Sequence, residues 1–267
     1  MNVDEDEEKE KRAGSFGAVA AAYAEHRPDY PEVAVRWALE VAAELTAGAG
    51  LSGVRVLDLG AGTGKLTAQL ADLGADVTAV EPDTAMLAEL RRQLPQIRAL
   101  DGRAEAIPLP DGSVHAVLCG QAMHWFDMDR ALPEIARVLA GGGVLAGLWN
   151  SDDDRVEWVA GLQRVAEGAA SPSLSARRSE AADYDIGLAG ARFFLPTERA
   201  EFPNSQARTA DSLVATIATH SKFLIMPAAE RERVLAGVRD YLRSRPETGG
   251  GEFTLPMVTS AVRARRR

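Results

Sequence analysis

Between residues 54 and 149 the chain alternates short, nearly continuous apolar runs with longer stretches whose apolar positions recur every three or four residues. The short runs are Val54–Leu59 (VRVLDL), Asp76–Val80, Ile97–Leu100, Val114–Gly120 and Val144–Trp149. Their length and lack of polar alternation read as strands buried on both faces. The stretches between them, Lys65–Leu73, Asp83–Leu94 and Asp129–Leu139, carry helical spacing, and Gly74 ends the first. Strands alternating with helices predict a mostly parallel sheet with helices on both faces. Ligands in such sheets lie beyond the carboxyl ends of the strands, so the loops after the first, second and fourth strands should form the site.

Outside this stretch the pattern changes. Residues 4–12 hold six acids and three bases with no apolar side chain, a composition that cannot repay its ordering entropy. FGAVAAAYAEHRPDY, residues 16–30, is apolar and aromatic, and RPDYP, residues 27–31, reads as a break before a helix over Glu32–Leu45 with Val33, Trp37, Val41 and Leu45 as its apolar stripe. Beyond Asn150 the signal weakens. Helices are expected over 156–166, 211–217 and 230–242, and a closing strand over 253–262, with Pro256 pushing part of it to an edge or bulge. The terminal Arg263, Arg265, Arg266 and Arg267 read as a solvated basic tag.

Composition narrows the class. With 46% apolar and 26% charged residues in 267, the chain has the carbon for a sizeable core. No apolar run is long enough to span a bilayer, and MNVDEDEEKEKR lacks a secretory apolar segment, so no membrane association is expected. Cys119 is the single cysteine, which excludes an internal disulfide and a cysteine-built zinc site and suggests a cytoplasmic location, with Cys119 as buried filler. A formal charge of -9 argues against a nucleic-acid backbone as partner and favours a small molecule. Asp152-Asp153-Asp154 reads as a loop capping the next helix, so no metal is expected.

The candidate chemistry lies in Gly60-Ala61-Gly62-Thr63-Gly64, between the first strand and its helix. Missing side chains there let a ligand approach the backbone. A dinucleotide fingerprint would need glycine where Lys65 stands. A P-loop would need glycine in place of Leu59 and Ser or Thr in place of Leu66. What remains is G-x-G-x-G with Glu81 at the end of the second strand, where a carboxylate can accept both hydroxyls of a ribose. An adenosine-bearing cofactor without a phosphate clamp suggests S-adenosylmethionine. An NAD(P)-dependent oxidoreductase is the rival reading, and a non-catalytic module that binds S-adenosylmethionine is a third.

VLDLGAGTG (56–64), VEPDTAML (80–87), GRAEAIPLPDGSVHAV (102–117) and EIARVLAGGGVLAGLW (134–149) resemble, in order and spacing, the successive motifs of class I S-adenosylmethionine-dependent methyltransferases, most closely the type 11 group. FGAVAAAYAEHRPDYP, QAMHWFD and LPMVTSAVRARR resemble a subgroup related to the trans-aconitate methyltransferases. The resemblance implies a Rossmann-like α/β fold with a helical lid. It divides the chain into a tail (1–15), an N-terminal helical lid (16–50), a cofactor-binding core (51–150), and acceptor-covering helices and closing strands (151–267). It implies that Asp58 and the backbone of Gly60 and Gly62 face the methionine part of the cofactor, within a loop completed by Gly64. Glu81 would bind the ribose, Pro82 and Met86 would flank the adenine, and Ala104 with Glu105 would lie along its polar edge. Gln121 would line the cofactor near the methyl group, and Tyr23 and Arg27 would fold over the methionine end. Arg103 and His115 stand where relatives usually carry acids, and Ala140-Gly141-Gly142-Gly143 replaces a more usual Pro-Gly-Gly.

The expected activity is methyl transfer to an O, N or C atom of a small organic molecule. A sulfonium methyl is already activated, so positioning can carry most of the catalysis, and no triad is required. Where the acceptor must lose a proton, His124 in QAMHWF is the candidate base. The competing role for His124 is to brace the loop together with Trp125.

Overall fold

The computed structural model describes residues 28–46, 50–167, 184–218, 223 and 226–267. They divide into two compact units, one formed by 29–149, 184–202 and 259–267 and the other by 150–167, 203–218 and 226–258. The chain runs through α1 (Glu32–Ala43), β1 (Arg55–Leu59), α2 (Lys65–Asp72), β2 (Asp76–Glu81), α3 (Thr84–Gln93), β3 (Arg98–Asp101), β4 (Val114–Gly120), α4 (Met128–Val138) and β5 (Leu139–Asp152). It continues through α5 (Glu157–Glu167), α6 (Ile186–Ala189), β6 (Glu198–Arg208), α7 (Ala210–Ala218), α8 (Ala228–Ser244) and β7 (Phe253–Arg265). The seven strands form one sheet in the order β3-β2-β1-β4-β5-β7-β6, and the pairs β1/β2, β1/β4, β2/β3 and β4/β5 are parallel. This is a Rossmann-like α/β fold, and its strand order reverses between β1 and β4.

In the first unit, alternation along the strands sorts side chains to two faces. Leu57, Leu59, Val117, Cys119 and Leu145 join one core with Ala131, Leu132 and Ile135 of α4. Val56, Ala116, Leu118, Val144 and Ala146 join the other with Ala34, Ala38 and Leu39 of α1 and Leu66 and Leu70 of α2. Both faces are covered, which is why the strands read as unbroken apolar runs. In the second unit α5, α7 and α8 pack around Trp158, Leu162, Leu213, Ile217, Val238 and Leu242.

Four expectations are corrected. Only part of the stripe assigned to α1 is buried: Val41 is buried and Trp37 half-buried, but Val33 is 56% exposed and Leu45 40%, while Ala34, Val35, Ala38, Leu39 and Ala42 complete the buried face. The alanines among these let the helix lie close to the sheet, and a search for bulky residues passes over them. β6 had no counterpart in the pattern. It is an edge strand whose side chains alternate between exposed and half-buried, and it contains Pro203, which an edge tolerates. β5 starts at Leu139 rather than Val144. Val114 pairs with Leu139 and Ala116 with Val144, so the glycine run 141–143 is taken up in a bulge, where a side chain at Gly143 would meet the His115 carbonyl at 2.8 Å.

The fourth concerns the C-terminal arginines, which are not a solvated tag. Arg263 is 8% exposed, bonds Glu198 at 2.7 Å and Glu40 at 3.0 Å, and lies 4.3 Å over the Trp37 ring. Arg265 bonds Glu44 at 2.6 Å, Arg266 donates to the Leu139 carbonyl, and Arg267 donates to the carbonyls of Ala191 and Phe194. Pro256 sits within continuous β7, where its carbonyl still accepts from the Asp153 amide at 2.9 Å.

Candidate functional site

β1 delivers Asp58 and β2 delivers Glu81 to neighbouring strand ends, and the glycine loop bridges them. Gly60, Gly62 and Gly64 all have positive φ (72°, 57° and 92°), which glycine adopts without steric cost. Each has its own surroundings. A side chain at Gly60 would sit 2.7 Å from the Ala122 Cβ beyond β4, and at Gly64 it would press on Leu90 and Leu94 at 3.0 Å. Gly62 lies beside the Met86 sulfur of α3. Gly64 thus serves the seating of α2 against α3, whereas Gly60 faces the loop after β4 and Gly62 faces Met86 of α3.

The loop's amides are already engaged. Gly60 and Ala61 both donate to the Val80 carbonyl, Gly64 donates to Ala61, and Gly62 donates to Glu81 Oε2 at 2.8 Å. The Lys65 ammonium is paired with Asp29 at 2.9 Å. This is a poor cradle for phosphate, which needs converging unpaired N–H groups.

Glu81 is 6% exposed, and its other oxygen, Oε1, accepts from the Asp83 amide at 2.9 Å. Burial raises its pKa, against the two backbone bonds that favour the charged form. Each oxygen is held in place and retains acceptor capacity. Asp58 is 1% exposed. Thr67 Oγ1 of α2 donates to its Oδ2 at 2.6 Å, and Oδ1 is buried with no hydrogen-bond partner among the described residues. Burial, opposed by the Thr67 bond and reinforced by the Glu81 charge, pushes the Asp58 pKa up to about 7.

The loop after β4 closes the other side. Gln121 has φ 56°, the one non-glycine positive value among the described residues, a conformation costing about 1–2 kcal/mol. Its amide donates to the Leu148 carbonyl of β5. His124 sits in a 3₁₀ turn, Met123–Trp125, half-buried with its ring 4.7 Å from that of Trp125. Phe126 approaches Gly60. Ala104 is buried, and Glu105 accepts from the Asp127 amide at 2.8 Å, tying the loop after β3 to the start of α4. Met86 is buried and Pro82 exposed at the start of α3, where Asp83 caps the helix by accepting from the amides of Ala85 and Met86. Tyr23 and Arg27 lie outside the described residues, as do residues 16–27 and 47–49 of the segment assigned to the N-terminal lid.

Sequence reasoning missed Tyr30, Gln69 and Thr67. The Tyr30 ring packs on Gly120 so closely that a side chain there would meet its hydroxyl at 2.6 Å. Gln69 fastens Tyr30 by both backbone groups, accepting at 3.1 Å and donating at 2.7 Å. Tyr30 was visible only as part of the RPDYP break. Gln69 carries no signal because Tyr30 is distant along the chain, and Thr67 because nothing in its helix marks the carboxylate that it faces.

Similarity to known proteins agrees with this geometry. Residues 57–147 match the family described as a methyltransferase domain. An uncharacterised methyltransferase of Mycobacterium tuberculosis is 40% identical over 251 residues, 94% of this chain and 95% of that protein. One from Schizosaccharomyces pombe is 31% identical over 234 residues, covering 87% and 88%. A solved structure from Anaeromyxobacter dehalogenans, assigned as a type II methyltransferase, superposes with a TM-score of 0.65 at 27% identity, covering 90% of this chain and 97% of that one. The chain belongs to the class I S-adenosylmethionine-dependent methyltransferases. Its cofactor is S-adenosylmethionine, and the reading as an NAD(P)-dependent oxidoreductase is set aside.

Proposed function

We propose that the protein transfers the methyl group of S-adenosylmethionine to an O, N or C atom of a small organic molecule. The observation that carries the cofactor's placement is the pair of buried acids flanking the glycine loop: Glu81 held by two backbone amides, and Asp58 with an open oxygen. Both are acceptors, suited to a ligand that brings hydroxyl and ammonium donors and no phosphate. Glu81 takes the ribose hydroxyls. Pro82 and Met86 flank the adenine, and Ala104 and Glu105 lie along its edge. Asp58 and the backbone of Gly60 and Gly62 face the methionine part, with Tyr23 and Arg27 over it, and Gln121 lies near the methyl group.

When bound, the cofactor supplies an electrophilic methyl carbon on a positively charged sulfur. The protein's residues hold this carbon in line with the acceptor and exclude water, a positioning effect that reaches about 7–11 kcal/mol in favourable systems. His124 takes the acceptor's proton where the acceptor is a hydroxyl or protonated amine. The acceptor is covered by residues 16–50 and 151–267. The formal charge of -9 favours a small acceptor over a nucleic acid.

The test is thermal unfolding of the full chain with S-adenosylmethionine, S-adenosylhomocysteine or NADH. The first two should raise Tm and NADH should not, and Glu81→Ala should remove most of the rise. A labelled-methyl screen over metabolite extracts then identifies the acceptor. Tight cofactor binding with no labelled product across broad acceptor pools would favour a non-catalytic module instead.

A further inference from the structure

Asp58 presents an unusual combination: a carboxyl removed from solvent, one oxygen bonded by Thr67 and the other buried without a partner among the described residues. The groups bearing on it come from three neighbouring elements. Glu81 at the end of β2 adds negative charge, Thr67 of α2 donates its hydroxyl, and Cys119 of β4 is a buried thiol held well into its neutral form by its own burial and by Asp58. The charge nearest in sequence on α2, Lys65, is committed to Asp29. An isolated carboxylate in such a place lacks compensation, and a carboxylic acid is the cheaper occupant until a cation arrives.

We propose that Asp58 carries a proton in the cofactor-free protein and releases it to solvent when the cationic cofactor enters, with Thr67 as the positioning residue that holds one oxygen and leaves the other open toward the ligand. The step breaks the Asp58 O–H bond, the proton passes to buffer, and the carboxylate left behind faces the cofactor's positive charge. Below about pH 7 ionisation is thereby coupled to occupancy, and the free site there largely avoids an uncompensated buried charge. The proposal rests on the reading that Asp58 faces the methionine part of the cofactor.

Titration calorimetry of the full-length protein with S-adenosylmethionine, in pairs of buffers of different ionisation enthalpy, counts the protons released. The expected count is about half a proton near pH 7, approaching one near pH 6 and falling to about zero near pH 8.5. Asp58→Asn should abolish the release. Thr67→Val should move the profile to higher pH, because the lost hydroxyl bond favours the charged form, and Thr67→Ser should restore it. Normal binding heat with no proton release near pH 6 overturns the proposal while leaving the cofactor site intact. Absence of any binding heat overturns both. A Thr67→Val profile that coincides with wild type removes Thr67 from the account.

Discussion

Gly60 has two independent reasons to be glycine, a φ of 72° and an Ala122 methyl 2.7 Å from where a side chain would begin. Gly60→Ala should therefore cost more than the roughly 1–2 kcal/mol of backbone strain alone, and should displace the loop after β4. Urea unfolding checks the first expectation and loss of the cofactor-induced Tm rise the second. Asp58 gives a pH prediction of definite sign. Its folded pKa, about 7, lies above its ordinary value of 3.8, so its contribution is fully present below about pH 4 and is lost as pH rises through 7. Unfolding free energy of the cofactor-free protein should fall across that window by no more than about 4 kcal/mol, and Asp58→Asn should flatten the fall. A wild-type curve parallel to that of Asp58→Asn would contradict the assignment. Of these residues, the glycines and both acids were legible because their spacing is local. Thr67 was not, since it differs from any other helical threonine only in facing Asp58.

At the scale of elements, the strands and helices of residues 54–149 were legible because burial on both faces leaves near-continuous apolar runs in β1, β2 and β4, and one-sided burial leaves a helical period in the helices between them. The departures have physical causes. α1 buries three alanines beside Val35, Leu39 and Val41 and leaves Val33 exposed. β6 is an edge strand without a buried face, and its sequence ERAEFPNSQAR carries neither alternation nor a run. β7 makes a further prediction. Arg263 joins it to α1 through Trp37 and Glu40 and to β6 through Glu198, and all of these lie in the first unit. Arg263→Ala should cost about 2 kcal/mol in chemical denaturation through the loss of a desolvated cation–π contact and the two ion pairs. Arg263→Lys should recover only part of this, since an ammonium cannot reproduce the planar fork.

For the whole molecule, the consequence is that the C-terminal residues complete the first unit. A chain ending at residue 262 loses the bonds to Glu40, Glu44, Glu198, Leu139, Ala191 and Phe194 together. Its Tm should drop by about 6–12 °C, corresponding to some 3 kcal/mol for a chain of this size, and calorimetry measures it directly. An unchanged Tm would mean that these arginines are ornamental to the fold. Family membership likewise belongs to the whole chain, since similarity runs over 94% of its length, well beyond the matched domain at 57–147.

By itself the sequence determined the order of strands and helices through residues 54–149, the glycine loop with its two acids, and the absence of a dinucleotide fingerprint, because each of these is written in neighbouring residues. Only the tertiary structure decided which face of α1 is buried, that β6 closes the sheet edge, that the terminal arginines are structural, that Thr67 bonds Asp58 and that Tyr30 packs on Gly120. The physical reason is common to all of these: each depends on how one element packs against another, and local periodicity carries no record of its partner.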